Sequence, residues 1–285
     1  MVGPSRFILP PEILDLIFGS LRDCKESLKA CSQVDMVFSG LTERHLYHEV
    51  DVSYSHRGEN PGVLSLIAST STSKLSKLFH ETPRLTTHVE SLRIIFDRGS
   101  SLHAGHSETP VEDFQSMLSS LSRVKRIHVY RHDEWKHWTD LPQPYRLAVL
   151  ERIQSVNTEE VCLNGLDGFP IHGLNKCIVF KHLSFSNVFS FDHELGNEPQ
   201  ALHYDPRHLQ SLRVRLCDTS VLLAMERWFS HPTSSAPNTI RGLRSLTLRK
   251  TPTRDFIDLR WLSHILSACV KTLVSLEFDG SLPCL

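Results

Sequence analysis

No apolar run in this 285-residue chain approaches the roughly 18 to 20 residues needed to cross a bilayer. The N-terminal residues also lack the basic segment, apolar core and small-residue site of a secretory leader. These two absences predict an intracellular protein, in cytoplasm or nucleus, with no membrane partner. Charge of one sign is missing as well: 31 Lys and Arg face 32 Asp and Glu, for a formal net charge of -1. Such a chain has no overall positive field to hold nucleic acid, so none is expected as a partner. The seven cysteines (Cys24, Cys31, Cys162, Cys177, Cys217, Cys269 and Cys284) never form C-x-x-C, and their odd number and wide spread speak for a reducing compartment. Most are expected to be small buried hydrophobes.

Motifs of catalysis are absent too. There is no G-x-G-x-x-G, G-x-x-x-x-G-K-[ST] or G-x-S-x-G, and no carboxylate pair stands in a context that suggests shared acid/base work. His132, Asp133, Glu134 and His137 do not reproduce H-E-x-x-H, and the i, i+3 pairs His45/His48 and His103/His106 have no cysteine ligands nearby. The expectation is a non-catalytic protein with no metal and no cofactor.

What is present is enough apolar material, 40% of residues, for a sizeable core in one or two domains. The stretch FILPPEILDLIFGSL (residues 7–21) opens the argument. Pro10 and Pro11 suit the first turn of a helix, where no N–H partner is needed, and Glu12 lies where the positive helix end favours an acid. Ile13, Leu14, Ile17, Phe18 and Leu21 then recur at spacings of one, three and four. After Asp23, the residues Leu28, Cys31, Val34 and Phe38 predict a second helix, and Leu41 with Leu46 a shorter third one. Three helices this short bury little among themselves, so part of their apolar surface is expected to await a partner.

LPPEILDLIFGSL followed by SLKACSQVDMVFSGLTERHLYHEV resembles the F-box, over residues 5–50. The residues that carry the likeness are Leu9, Pro10, Pro11, Glu12, Ile13, Leu14, Ile17, Phe18, Leu21, Leu28, Cys31 and Val34. The tryptophan commonly found after the valine is missing, and Val37 and Phe38 occupy that region. The resemblance implies docking onto a Skp-type adaptor and, through it, onto a cullin-based ubiquitin ligase. The competing reading makes the apolar stripe the inside of a small helical cap. The two differ at Leu9, Pro10, Ile13 and Ile17, which must be free for docking or packed on the rest of the chain.

Residues 51–84 read as a linker and a leading helix, from about Gly62 to His80. Beyond them the chain repeats. VESLRIIF, VKRIHVYR, TEEVCLNG, FKHLSFSN, LQSLRVRL, LRSLTLRK and LVSLEFDG share an apolar-x-apolar centre, with first positions spaced by 35, 34, 22, 29, 34 and 30 residues. Helix-like stretches lie between them: VEDFQSMLSSL, YRLAVLERIQSV, VLLAMERWF and DFIDLRWLSHILSACV. One strand–helix unit cannot bury both faces but a stack can, which predicts an α/β solenoid over residues 85–285 with a parallel sheet on its concave side and helices on its convex side. The segment also resembles the leucine-rich-repeat domains that follow many F-boxes, although the usual asparagine after the strand is mostly missing, with Asn164 and Asn187 the nearest. With a strand the last feature of the chain, an uncapped repeat edge is expected.

Strand alternation assigns a face. If Leu92 and Ile94 point inward, Arg93 points outward, and the same register puts Arg126, His128, Tyr130, Arg213, Arg215 and Arg249 on the concave side. Arg213, Arg215 and Arg249 should cluster across neighbouring strands and offer forked donors to an acidic or phosphorylated substrate segment. A solvated strand face with no single ligand is the competing reading. In VYRHDEWKHW, Trp135 and Trp138 are expected to pack against the solenoid rather than to form a protein-binding patch. Two functions follow. The chain is a substrate-recognition subunit of a Skp/cullin/F-box-type ubiquitin ligase, or it is a leucine-rich-repeat interaction scaffold with a helical cap.

Overall fold

Pro10 stands at the N-cap of helix α1 (Pro11–Ser20), with Pro11 in its first turn and Glu12 beside the helix's positive end. One residue in each of two successive turns of this helix looks inward: Leu14 and Phe18 are buried, together with Leu28 of α2 (Lys25–Ser32). Leu21, Cys31, Phe38, Leu41 and Leu46 pack on those three to make a small core of its own, separate from the main one. Each of the three buried side chains contributes about 1.5–3 kcal/mol, which is modest support for a module of three helices. The break between α2 and α3 (Met36–Leu46) lies earlier than the sequence reading has it. Asp35 caps α3 by accepting a hydrogen bond from the Phe38 N–H at 2.9 Å, so Phe38 belongs to the third helix and Val34 to the turn before it.

The computed structural model describes residues 9–56, 66–97, 108–131, 137–177, 181–191, 209–217, 219–230, 242–250 and 259–279. His103, His106, Asp133, Glu134, His132, Trp135 and Cys284 lie outside them. After the helical module the chain alternates strand and helix: β1 (Glu49–His56), β2 (Leu66–Ala68), α4 (Thr70–Glu81), β3 (Ser91–Asp97), β4 (Glu108–Thr109), α5 (Val111–Ser120), β5 (Arg126–Arg131), α6 (Gln143–Ile153) and β6 (Glu160–Asn164). Then come β7 (His182–Ser186), β8 (Ser211–Cys217), α7 (Thr219–Ser230), β9 (Ser245–Lys250), α8 (Leu259–Cys269) and β10 (Ser275–Asp279).

All ten strands form one open sheet in the order β10-β9-β8-β7-β6-β5-β3-β1-β2-β4. Eight of them run parallel, and β2 and β4 add antiparallel pairings at one edge. The stretch read as the start of a linker is therefore a strand: β1 pairs with β3 along its length, and Val50, Val52 and Tyr54 are buried in the core. The leading helix is shorter than expected as well, because β2 takes residues 66–68 and Ser69 caps α4 only afterwards.

The parallel strands start in step. Val50, Leu92, Ile127, Val161, Leu183, Leu212, Leu246 and Leu276 align across the sheet, as do Val52, Ile94, Val129, Leu163, Phe185, Val214, Leu248 and Phe278. These two rows share one core with Phe114, Met117 and Leu118 of α5, Tyr145, Val149 and Ile153 of α6, Val221 and Met225 of α7, and Ile265 of α8. The helices thus cover one face, as the alternation requires. At the β10 edge the inward row loses its cover, and Leu276 is half exposed. The 22-residue spacing between Val161 and Leu183 has a physical reason too: a 3₁₀ turn, Ile171–Lys176, stands there in place of an α-helix.

The ends of three consecutive strands turn alike. Gly165, Asn187 and Leu216 follow aligned residues of β6, β7 and β8, and all three have positive φ, of 71°, 52° and 52°. Only glycine fits the first: a Cβ on Gly165 would lie 3.2 Å from the Arg131 carbonyl oxygen. Asn187 tolerates the conformation and donates its amide to the Asn164 side chain at 2.9 Å. Leu216 gains nothing comparable and carries a cost of about 1–2 kcal/mol, at the point where the β8–β9 register slips. Trp138 is buried edge-to-face on Phe169, with ring centres 5.0 Å apart, so it packs against the fold as the sequence predicts.

Candidate interaction surfaces

Helix α1 carries two apolar stripes, each set by an i, i+4 spacing. Leu14 and Phe18, 5% and 2% exposed, fill the module's interior, while Ile13 and Ile17 remain 43% and 42% exposed beside Leu9 at 46%. Pro10, Pro11, Glu12 and Val34 are exposed too. Of the residues expected to contact an adaptor, Leu14, Phe18 and Leu28 are buried in the module's own core, and Leu21 and Cys31 pack against them partly buried. The sequence reading passes over Leu16 and Met36 and names Val37 only as standing in the region of the missing tryptophan; the three are 70%, 91% and 57% exposed. The clue to them is position: Leu16 falls off the inward stripe, and Met36 and Val37 open the helix that Asp35 caps. Phe38, in the region where the tryptophan is missing, turns inward onto Phe18 with ring centres 5.5 Å apart and is half-buried.

A polar network ties α1 to α3. The buried His45 ring bonds Asp15 Oδ1 through Nε2 at 2.6 Å and accepts from Arg22 Nε through Nδ1 at 3.0 Å, while Arg44 also pairs with Asp15. This pattern requires the neutral, Nε2-protonated ring. Burial, and then the charges of Arg22 and Arg44, hold the His45 pKa below its ordinary 6.5. The sign follows directly. The folded state resists a proton that the unfolded chain takes up near pH 6.5, so stability is complete above that value and falls as the solution is acidified. Burial lowers His48, His88 and His128 in the same direction. The urea midpoint is expected to be lower at pH 5.5 than at pH 7.5, by a smaller margin in His45→Gln; an equal midpoint at both pH values would exclude a neutral folded ring.

The module meets the sheet through a few contacts near β1. Lys25 donates to the Glu49 carbonyl at 3.3 Å, Glu43 pairs with Arg84 at 2.9 Å, and the Tyr47 and Phe79 rings lie 6.4 Å apart. None of these uses Leu9, Ile13 or Ile17.

The second surface is the sheet face opposite the helices. Its three aligned rows start from Glu49, Asp51 and Ser53 and run across β3 and β5 to β9. Alternation holds, with two departures: Ser91 and Thr247 point to this side yet are buried by their neighbours. The expected arginines divide into two kinds. Arg93 is bound by Glu49 and by Asp51, the latter at 3.3 Å, and lies 5.7 Å over the Tyr130 ring. Arg126 bonds the His48 ring at 2.9 Å, and Arg249 pairs with Glu277 at 2.6 Å. His128 contacts the Tyr130 hydroxyl at 3.2 Å and faces Glu160 at 3.8 Å. Arg213 and Arg215 make no ion pair with any described residue, and the buried Nε of Arg215 has no partner. Of the predicted cluster of three, Arg213 and Arg215 thus lie outside any ion pair among the described residues, although the Arg215 charge acts on Glu277 from a distance. Arg215 aligns with Arg249, whose guanidinium Glu277 already holds.

Among the described residues no three His, Cys, Asp or Glu side chains are grouped to hold a metal ion, and no helix is long and apolar enough to cross a membrane. Both members of the His45/His48 pair are engaged by protein groups. Cys177, Cys217 and Cys269 are buried, Cys31 and Cys162 half-buried and Cys24 exposed, with no disulfide among the described residues. Neither a family model nor a curated protein matches this chain.

Proposed function

We propose that the chain is a non-catalytic substrate-recognition subunit of a Skp/cullin/F-box-type ubiquitin ligase. In this reading the N-terminal helices dock a Skp-type adaptor, the adaptor carries the chain to a cullin, and the polar face of the sheet receives a target protein. The observation that carries it is the outward stripe of Leu9, Ile13 and Ile17, left open while its neighbours Leu14 and Phe18 are buried. A stripe of this kind on so small a module marks a contact surface. A scaffold with a helical cap would need the same stripe packed on the repeats, and the contacts between the two parts named above do not use it.

The mechanism needs no reactive residue. Holding a target beside a ubiquitin-charged enzyme turns an encounter between separate molecules into one within a complex, at an effective concentration set by the spacing of the parts. Such a role fits a protein of the cytoplasm or nucleus. The test is co-elution of the purified full chain with a purified Skp-type adaptor in size-exclusion chromatography, followed by titration calorimetry. A one-to-one complex is expected. A folded chain that elutes apart from the adaptor and gives no heat of binding would overturn the reading in favour of the scaffold.

A further inference from the structure

The seam between α5 and α6 holds a charge that no acid answers. Gln115, Leu118 and Ser119 of α5 and Ala148, Glu151 and Arg152 of α6 each follow an i, i+3, i+4 spacing, so each set shares one side of its helix, and together they line a cleft of about 150 Å³. Leu118 and Ala148, both buried, give it an apolar floor, and Arg152 is only 8% exposed. The Arg152 Nη2 donates to the Val124 carbonyl at 3.2 Å, while its buried Nε has no partner. A guanidinium carries five N–H donors, so a single acceptor leaves most of them without a bond. Burial lowers the Arg152 pKa with no described acid acting against it, whereas Arg131 has Asp140 and Asp167 to offset its burial. Among the described residues, the arginines that do hold an acid are more accessible: the side chains of Arg44, Arg84, Arg93 and Arg249 are 36% to 68% exposed. A cation buried without a counter-charge is costly, and the last turn of a helix returns only partial negative charge.

Charge and size together select the ligand. One cation calls for one negative charge, and a carboxylate presents two oxygens to the donors of a single guanidinium. A phosphate monoester brings more charge than Arg152 can balance, beside a second acid, Glu151, that lines the same cleft. A bare halide would leave the apolar floor without contacts, which a hydrocarbon tail supplies. A cavity of this volume takes a ligand of about six heavy atoms, the size of benzene. We infer that the cleft between α5 and α6 binds a monocarboxylate with a short apolar tail, its carboxylate on Arg152 and its tail against Leu118 and Ala148, with Gln115 and Ser119 as neighbouring donors. A free organic acid and the C-terminal residue of another polypeptide both present this chemistry. The cleft belongs to the helices that cover the sheet, so it is separate from the polar face and independent of adaptor docking.

The test adds sodium butyrate to the isotope-labelled full chain and follows the Arg152 Nε–Hε signal and the Leu118 and Ala148 methyl signals by nuclear magnetic resonance. Separate titrations use butyramide, acetyl-Ala-Val with a free carboxylate, its amide, and inorganic phosphate. Saturable shifts at all three residues are expected with butyrate and with the free peptide, and the tighter of the two tells a free acid from a chain end. The two amides and phosphate should each bind at least about tenfold more weakly, a difference of about 1.4 kcal/mol. Arg152→Met, which keeps the apolar stem and removes the charge, should weaken both acids by a similar factor. So should Ser119→Phe, whose larger side chain enters the cleft from an exposed position and leaves the Arg152–Val124 bond in place. That second variant decides the matter if Arg152→Met fails to fold. The absence of saturable shifts with either acid, equal affinity for an amide or for phosphate, or wild-type affinity in a folded variant would overturn the inference.

Discussion

Ile17→Asp is expected to weaken the Skp-type adaptor by at least about 30-fold while leaving the folded state intact, because interface anchors of this kind carry about 2 kcal/mol or more and every 1.4 kcal/mol is tenfold. Ile17 is 42% exposed and lies one turn from Ile13, so its side chain contributes to the surface and not to the inner core. An aspartate there meets water in the free chain but must lose it under an apolar partner, with nothing nearby to pair it. The neighbouring position behaves differently. Phe18 is 2% exposed and packs on Phe38, so Phe18→Ala should remove about 3–5 kcal/mol from the module and lose binding by unfolding it. Calorimetric titration with the adaptor, set beside circular dichroism and thermal melting of each variant, separates the two. Wild-type affinity in folded Ile17→Asp would remove α1 from the docking surface.

The second large effect belongs to the main core. Phe185→Ala should destabilise the sheet by about 3–5 kcal/mol, with a further loss of about 0.5–1.5 kcal/mol from the aromatic pair it forms. Phe185 is fully buried at the centre of an aligned apolar row and meets Phe191 edge-to-face, with ring centres 5.1 Å apart. The crossover that leads into β7 is a six-residue 3₁₀ turn, which supplies fewer core side chains than the eleven-residue α6 beside it. More of the local packing therefore rests on these two rings. Urea unfolding monitored by fluorescence reads the effect as a lowered midpoint at constant slope. Arg213→Gln, on the exposed face of the adjacent strand, should move the midpoint by less than about 0.5 kcal/mol. Similar shifts for the two variants would contradict the division of the sheet into a covered face and an open one.

The seven later strands were legible because each places two apolar residues one position apart, a local pattern that strand geometry alone interprets. β1 carries the same mark in Val50, Val52 and Tyr54, but it follows directly on the helical module and leads into residues rich in Ser and Gly, which hid it. The break before α3 was readable in principle from Asp35, a favoured capping residue. Pairing is another matter. Arg93 is answered from β1, 42 residues away, and Arg249 from β10, so which arginines remain uncompensated depends on strand order and register. The contact of His45 with Asp15 and Arg22 likewise joins residues 30 and 23 positions apart, beyond the reach of any local pattern.

The in-step register of the eight parallel strands has a mechanical consequence. A pull applied across the sheet, from β1 toward β10, runs along the hydrogen bonds and at right angles to the strands. The bonds of one strand pair then take the load before those of the next, so the sheet should yield as a zip does, one strand–helix unit at a time and at low force. A pull along the strands would instead load a whole row of bonds at once. Were the chain held at its helical module and a target on its polar face, as the proposed function has it, tension between them would be met by stepwise opening of single units, each of which can close again against the neighbour it left.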